Sequence, residues 1–232
     1  MRAARRQNES GCYFPVETDC PCTHGNPMNP DAIRHLQRVD PIFRPVIRAS
    51  KSLAFKPEPR RTPFESLVSA VAHQQLTGRV AQIILMRFRK LYPRRRFPSA
   101  EQVMDTPVRT LRSVGFSKAK AVAIRDIAKK SLDGTIPGSR VIAKLSDEEI
   151  IQRLTSARGV GPWTVQMLLI FKLGRPDVLP ADDFGVRKGF MLLHGLPELP
   201  KPKQLLAYGE RWRPHRTAAA WFLWRAVDVY GE

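Results

Sequence analysis

The chain has 232 residues, of which 43% are hydrophobic, and this is enough for one domain of two lobes, or two small domains, with a sizeable core. None of its apolar runs approaches the roughly 20 residues that a membrane-spanning helix needs, so the sequence predicts no such helix. Its 39 Lys and Arg against 21 Asp and Glu give a net charge of +18, which favours nucleic acid as the partner over an anionic membrane surface or a merely charged exterior.

The composition of residues 1–28 predicts a flexible N-terminal tail. The basic start is followed by no apolar run, so no signal peptide is expected and the expected compartment is the cytoplasm, in association with the nucleoid. All three cysteines, Cys12, Cys20 and Cys22, lie here, so no disulfide framework is predicted for the rest of the chain. Together with His24 they have the ligand types of a zinc site, but the usual C-x2-C pair is missing. The sequence therefore favours a polar, unfolded tail without a metal.

Capping motifs place several predicted helices. Ser or Thr followed three residues later by Glu or Gln marks a helix start, and this pattern occurs at Thr62–Glu65, Ser99–Gln102 and Ser146–Glu149. Thr77 and Ser117 are further candidate starts. For the helix after Thr77, helical spacing predicts an apolar face made of Val80, Ile83, Ile84, Phe88 and Leu91.

Helical patterns continue to the end of the chain. Helices are predicted from Trp163 to about Lys172, from near Asp183 to before Gly195, and over about 202–211 and 214–229. Strand patterns are nearly absent and there is no internal repeat. The predicted fold class is all-α.

The segment Gly159-Val160-Gly161 predicts a tight hairpin between two helices. Glycine permits positive φ and leaves the backbone N–H groups bare of side chains. These groups open the helix that starts near Pro162, where the helix dipole favours an anion. In a chain this basic, the expected anion is a phosphate of nucleic acid.

An acidic pair, Asp182 and Asp183, follows the hairpin helix. A carboxylate beside a phosphate-binding hairpin suggests an enzyme that holds DNA and cleaves a bond next to the bound phosphate. Aspartate also fills the N-cap position of helices readily, so a purely structural role for both residues is the alternative.

Four segments in this order resemble the helix-hairpin-helix DNA glycosylase superfamily, and within it the 3-methyladenine DNA glycosylase II branch. They are residues 64–75, 111–121, 158–164 and 179–188, followed by a tail that contains Arg-Trp-Arg-Pro at 211–214. A hairpin alone occurs in many DNA-binding proteins, whereas the hairpin, the acidic segment and the tail together are specific. The resemblance covers about residues 41–228.

The resemblance implies a domain over 29–232 with two helical lobes and a lesion-base pocket between them. Lobe one would cover about 64–175, and lobe two about 29–63 plus 176–232. The N-terminal β-rich domain of larger members is not expected, because too few residues precede the match. The implied activity is that of a monofunctional DNA glycosylase of base excision repair, which hydrolyses the N-glycosidic bond of alkylated purines of the 3-methyladenine type in double-stranded DNA. No coiled-coil pattern argues for an oligomer, so a monomer is expected.

Cleavage of an N-glycosidic bond builds positive charge on the sugar, as in glycoside hydrolysis. One carboxylate aimed at that charge stabilises it and can position or deprotonate a water molecule. In the family pattern the aspartate is followed by two variable residues, an apolar one, a variable one and a basic one. Asp183 with Val186 and Lys188 fits this register, so Asp183 is the candidate catalytic residue and Asp182 the candidate helix cap.

The resemblance also assigns the residues that bind DNA and the damaged base. Trp163 and Trp224 match aromatic positions of the base pocket, and Met167 stands where one relative has a tyrosine. A base alkylated at N3 or N7 is cationic, and an aromatic face attracts it by about 0.5–2 kcal/mol. Core packing is the alternative for each tryptophan, and for Trp221 it is the prediction. The candidate DNA contacts are Gly159, Val160, Gly161 and Thr164, with Gln75 or Leu76 filling the gap left by the extruded base.

No cofactor is expected. Branches of the superfamily that also cleave the DNA backbone carry a lysine where this chain has Trp163, and that lysine forms a Schiff base with the sugar. Lys172 and Lys188 are expected to face solvent. Branches with an iron–sulfur cluster hold it with cysteines near the C-terminus, and no cysteine follows Cys22 here.

Two alternatives stay open at this stage. The first is a glycosylase of the same fold that acts on another damaged base, such as an oxidised purine, hypoxanthine or uracil. The second is a catalytically inactive DNA-binding module in which Asp183 only caps a helix.

Overall fold

A computed structural model of the protein describes residues 29–50, 55 and 57–231. These residues form thirteen α-helices and one 3-10 turn, with no strand among them, which confirms the all-α class. The helices are α1 Pro30–Val39, α2 Phe43–Ala49, α3 Pro63–His73, α4 Gly78–Lys90, α5 Ala100–Asp105, α6 Val108–Ser113, α7 Lys118–Leu132, α8 Ser139–Ile142, α9 Asp147–Leu154, α10 Pro162–Phe171, α11 Phe184–His194, α12 Pro202–Gly209 and α13 Arg216–Tyr230, with the 3-10 turn at Glu210–Trp212.

The predicted capping motifs form as local hydrogen bonds. Ser99 and Ser146 each make the full reciprocal box that opens α5 and α9. At α3 only half of the predicted box is present: the Thr62 hydroxyl accepts from the N–H of Glu65 at 3.1 Å. The Glu65 carboxylate lies instead 3.9 Å from the guanidinium of Arg61 and is buried. A buried carboxylate favours a cationic partner, so Glu65 lies near Arg61, four residues earlier in the chain, and does not complete the box.

The buried face of α4 differs from the predicted one. Ile84 and Phe88 are in the core as predicted, but Val80 is 43% and Ile83 38% exposed. The rest of the buried side is formed by Ala81 and Leu85. The helix carries apolar residues on adjoining faces, so spacing alone does not tell which of them meets α3, the neighbour against which α4 packs.

Two central helices position the candidate site. Nearly every residue of α3 is buried, and α10 is buried on most sides. The two helices pack against each other, and α7 packs against α3. Helices buried to this extent belong to the interior, so α3 and α10 position the segments at their ends.

The helices α11 and α13 pack closely against each other. At Gly189 an added Cβ would lie 1.9 Å from the carbonyl oxygen of Leu223, so the two backbones touch where there is no side chain. Since Asp183 precedes α11 and Trp224 follows Leu223 in α13, this contact sets how near those two side chains come.

Two further observations concern the described residues alone. None of their helices is both long and apolar enough to cross a membrane, and they contain no group of three or more metal-ligating side chains. The possible zinc ligands weighed above lie outside the described residues; they are Cys12, Cys20, Cys22 and His24.

Candidate active site

Asp183 stands at the N-cap of α11 and accepts three hydrogen bonds. Its Oδ1 accepts from the backbone N–H of Val186 at 2.9 Å and from the indole N–H of Trp224 at 2.8 Å. Its Oδ2 accepts from the indole N–H of Trp163 at 2.8 Å. The carboxylate is half-buried, and the two indoles fix both of its oxygens in place.

The structure gives the helix-capping role to Asp183 and not to Asp182. Asp183 is itself the helix cap, whereas Asp182, the candidate cap, is exposed and precedes the cap position. The cap bond uses one lone pair of Oδ1, and the remaining lone pairs face the indoles and the surroundings of the site. Capping and a chemical role are therefore compatible in one residue, so the cap alone does not decide against catalysis.

A glycine makes room for this arrangement. A Cβ at Gly185 would lie 2.8 Å from Cδ1 of Trp224 and 3.1 Å from Oδ1 of Asp183. Any larger residue there would push the indole away from the carboxylate. The pattern of the sequence gave no sign of this requirement, because the contact joins α11 to α13.

The aromatic side chains divide between the site and the core. Trp163 and Trp224 are half-buried beside Asp183, and the ring of Phe171 stacks on Trp224 with centroids 5.7 Å apart. Trp221 is 8% exposed and lies in the core, as expected. Met167 is 3% exposed and belongs to the core cluster of α10, one turn after Trp163.

One aromatic residue near the carboxylate was missed by the sequence analysis. Phe184, directly after Asp183, is 59% exposed, the largest exposure among the exposed large apolar residues of the described chain. In the sequence it counts only as the first apolar residue of a helix, and only its exposure in the fold distinguishes it.

The predicted hairpin joins α9 and α10. Gly159 has φ +74°, and an added Cβ would lie 2.7 Å from Cβ of Ala123, so both its conformation and its packing require glycine. Gly161 has φ −95° and open space at its Cβ position, so it does not use the positive φ that glycine permits.

The hairpin N–H groups are not all open. The N–H of Val160 donates to the carbonyl of Ala157 at 3.1 Å, and its side chain is buried. The N–H groups of Gly159 and Gly161 have no acceptor within the described part of the chain. Two backbone donors thus remain at the start of α10, where the helix dipole is positive.

The turn between α3 and α4 lies against the hairpin. Gln74 donates from Nε2 to the carbonyl of Gly159 at 2.9 Å and to the hydroxyl of Thr164 at 3.0 Å. Thr164 is 1% exposed, so its hydroxyl faces the protein interior and not the solvent side expected for a DNA contact. Gln75 is exposed, whereas Leu76 is half-buried and packs on the core.

Lys172 does not face solvent, and that expectation is wrong. It is 4% exposed, and its Nζ donates to the carbonyl of Pro59 at 3.0 Å. Burial lowers the pKa of this amine. Lys188 is half-buried on α11. Neither lysine takes part in the hydrogen bonds around Asp183 that the structure describes.

Comparison with known proteins shows the family to which the chain belongs. The model of the HhH-GPD superfamily of base excision DNA repair proteins matches residues 68–214, which include the hairpin and Asp183. A DNA-3-methyladenine glycosylase of Schizosaccharomyces pombe is 43% identical over 170 residues, covering 73% of this chain and 75% of the relative. An alkylbase DNA glycosidase-like protein of the same organism is 32% identical over 200 residues, covering 86% of this chain and 94% of the relative.

A solved structure is also similar to this chain. It is that of a 3-methyladenine DNA glycosylase of Schizosaccharomyces pombe in complex with abasic DNA. Its TM-score is 0.79 at 38% identity, covering 84% of this chain and 95% of that one. The family match spans most of the helices that build the site, and the resemblance predicted from the sequence is confirmed. The chain belongs to the HhH-GPD superfamily of base excision DNA repair proteins.

Proposed function

We propose that this protein is a monofunctional DNA glycosylase that releases alkylated purines of the 3-methyladenine type from double-stranded DNA. The observation that carries the proposal is the carboxylate of Asp183 held between the indole N–H groups of Trp163 and Trp224. The names of its relatives support the substrate class.

Asp183 acts as the catalytic residue. As the bond to the base lengthens, positive charge builds on the sugar, and a fixed carboxylate stabilises this charge without having to reorganise. Oδ2 accepts from one indole only, so it keeps a lone pair that can position and deprotonate the attacking water. The three donors around the carboxylate hold it in the orientation that the transition state needs.

The two indoles bind the damaged base. Each tryptophan is tied to Asp183 by its N–H, so its ring has a fixed orientation at the carboxylate. A cationic alkylated base that enters the pocket stacks on such faces and gains about 0.5–2 kcal/mol from each. Met167, buried in α10 one turn after Trp163, supports the wall of this pocket from the core.

The hairpin binds a phosphate through the N–H groups of Gly159 and Gly161. Val160 contributes packing, since its N–H is already bonded to Ala157. Gln75 is the residue that enters the gap left by the extruded base, because it is exposed while Leu76 packs on the core.

Gly161→Ala is expected to leave the fold intact and to weaken DNA binding. Nothing lies within 4 Å of the added methyl group in the free protein, whereas a phosphate bound to the N–H must approach it closely. We expect about a tenfold loss of affinity, the scale of one hydrogen bond to a charged group. Fluorescence anisotropy with damaged and undamaged duplexes measures it.

This loss should be equal for all duplexes, because phosphate contacts position the protein without reading the base. An unchanged melting temperature is the control. A variant that kept its overall affinity and lost its preference among lesions would contradict the assignment of the hairpin.

The proposed function is tested by base release from duplexes that each carry one defined lesion. Release of 3-methyladenine or 7-methylguanine is the expected result. Release of an oxidised purine, hypoxanthine or uracil only would make the protein a glycosylase for another base. Binding without release from any duplex would make it an inactive DNA-binding module.

The product is expected to be free base and an intact abasic strand. Trp163 has no amine with which to form an imine, and the Nζ of Lys172 is held by the carbonyl of Pro59. Borohydride added during the reaction should therefore trap no covalent protein–DNA adduct. An adduct formed by the wild type and lost in Lys172→Ala or Lys188→Ala would overturn the monofunctional assignment.

This activity also implies the partner and the location of the protein. We propose that its partner is damaged double-stranded DNA and that it acts in the cytoplasm, in association with the nucleoid. We propose that the protein acts as a monomer and that the pocket at Asp183 lies between the group of helices around α3 and α10 and the group around α11 and α13.

A further inference from the structure

We propose that Gln74 and Lys120 are positioning residues that clamp the α3–α4 turn to the phosphate-binding hairpin, so that phosphate binding drives Gln75 into the base stack. This inference rests on the proposed function. Neither residue touches the reacting atoms. Their role is to keep the turn in one place while the base leaves the duplex.

The turn has a backbone conformation that needs support. Gln75 has φ +56°. Among the described residues it is the one non-glycine residue with a positive φ. Side chains rarely adopt this left-handed region, because Cβ approaches the backbone too closely. This strained conformation persists only where surrounding contacts stabilise it. The side chain of Gln75 is itself exposed, so the contacts must come from the residues before and after it in the turn.

Gln74 holds the turn on the hairpin side. Its Nε2 donates both hydrogens, one to the carbonyl of Gly159 and one to the hydroxyl of Thr164. The carbonyl can only accept, so the amide orientation is determined by the contact. Gly159 is one of the two residues whose N–H is open for the phosphate, so the side chain of Gln74 contacts a residue of the proposed phosphate site directly.

Lys120 holds the turn from the other side. Its Nζ donates to the carbonyls of Ala72 at 3.0 Å and Gln74 at 2.7 Å. Carbonyls at the C-terminus of a helix lack partners within the helix, and a cation there is also favoured by the dipole. Burial lowers the pKa of Lys120, in keeping with an amine held against these carbonyls away from bulk water.

The clamp links two steps that would otherwise be separate. The hairpin fixes the protein to a phosphate, and the clamp fixes Gln75 relative to the hairpin through α3, α7 and α10. A rigid turn must then occupy the stack when the phosphate is bound. With a loose turn the phosphate would still bind, but the base would stay stacked for more of the time. The clamp therefore acts on extrusion of the base, and neither on DNA affinity nor on bond cleavage.

The test compares two duplexes that differ only in how firmly the lesion is stacked. In one, the alkylated base is fully paired. In the other, it lies opposite an abasic site and is already partly unstacked. Under single-turnover conditions, we expect Gln74→Met and Lys120→Met to slow excision about tenfold on the paired duplex, the scale of hydrogen bonds to a charged or buried group. On the unstacked duplex the rate should be close to that of the wild type.

Two further variants test whether hydrogen bonding is what matters. Lys120→Arg still donates to carbonyl oxygens and should restore most of the rate on the paired duplex. Gln74→Glu has nearly the same size, but its carboxylate cannot donate and adds a negative charge near the phosphate site, so with saturating protein it should be at least as slow as Gln74→Met on the paired duplex. Lys129→Met on the same helix and Gln152→Met on α9 make the same chemical changes at exposed positions, and should keep wild-type rates.

Two results would overturn the clamp. One is an equal loss on both duplexes, which is what general damage to the fold produces. The other is no loss on either duplex. Fluorescence of 2-aminopurine placed beside the lesion reports unstacking without chemistry, and it should be lower in both Met variants than in the wild type. A wild type that unstacks the lesion and releases no base would refute the proposed function and leave the clamp supported.

Discussion

Asp183→Asn is expected to lower the rate of base excision by about 10² or more and to leave DNA affinity unchanged. Asparagine removes the charge that stabilises the developing cation. Its amide oxygen can keep the cap bond to Val186 and the bond from Trp224, but its NH2 group would then face the N–H of Trp163, donor against donor. The bond from Trp163 is therefore lost, which adds to the loss of rate. Single-turnover excision and anisotropy binding with the same duplex measure the two effects.

The matched control is Asp182→Asn, which removes the same charge from the neighbouring exposed residue. It should excise at the wild-type rate. Asparagine is as good an N-cap as aspartate, so α11 should be retained in Asp183→Asn and the melting temperature should change little. Normal excision by Asp183→Asn together with loss in Asp182→Asn would show that the register assigned to the acidic pair is wrong.

Gly189→Ala is expected to destabilise the fold strongly. The added methyl group would lie 1.9 Å from the carbonyl oxygen of Leu223, which is backbone and cannot rotate away. The helices α11 and α13 must separate, and overpacking of this kind costs about 3 kcal/mol. In a chain of this length that corresponds to a melting temperature lower by roughly 6–12 °C. Calorimetry or urea unfolding measures the change.

Gly138→Ala is the control for this prediction, since nothing lies within 4 Å of its added Cβ. It should melt close to the wild type. A second consequence is specific to Gly189: separation of the helices moves Trp224 away from Asp183, so excision at a temperature where the variant is folded should also be slower. A Gly189→Ala protein that melts and excises like the wild type would mean that α11 and α13 do not pack as closely as described.

The sequence by itself determined the features that depend on near neighbours in the chain. The boxes at Ser99 and Ser146 form because cap and partner are three residues apart, and the hairpin forms because Gly159 permits a turn that other residues resist. The family followed from motifs in a fixed order, and the comparisons confirm it.

Only the tertiary structure decided which distant side chains meet. Trp224 lies 41 residues from Asp183, and Gln74 lies 85 residues from Gly159, so no local pattern could join them. The face that α4 buries and the burial of Lys172 likewise depend on the helices or loops that happen to cover them. Hydrophobic burial is non-directional, so periodicity tells that a helix has an apolar side but not which neighbour will cover it. The resemblance assigned Trp163, Trp224 and Asp183 to one site, but the hydrogen bonds among them, and the contact of the α3–α4 turn with the hairpin, result from packing that the sequence does not show.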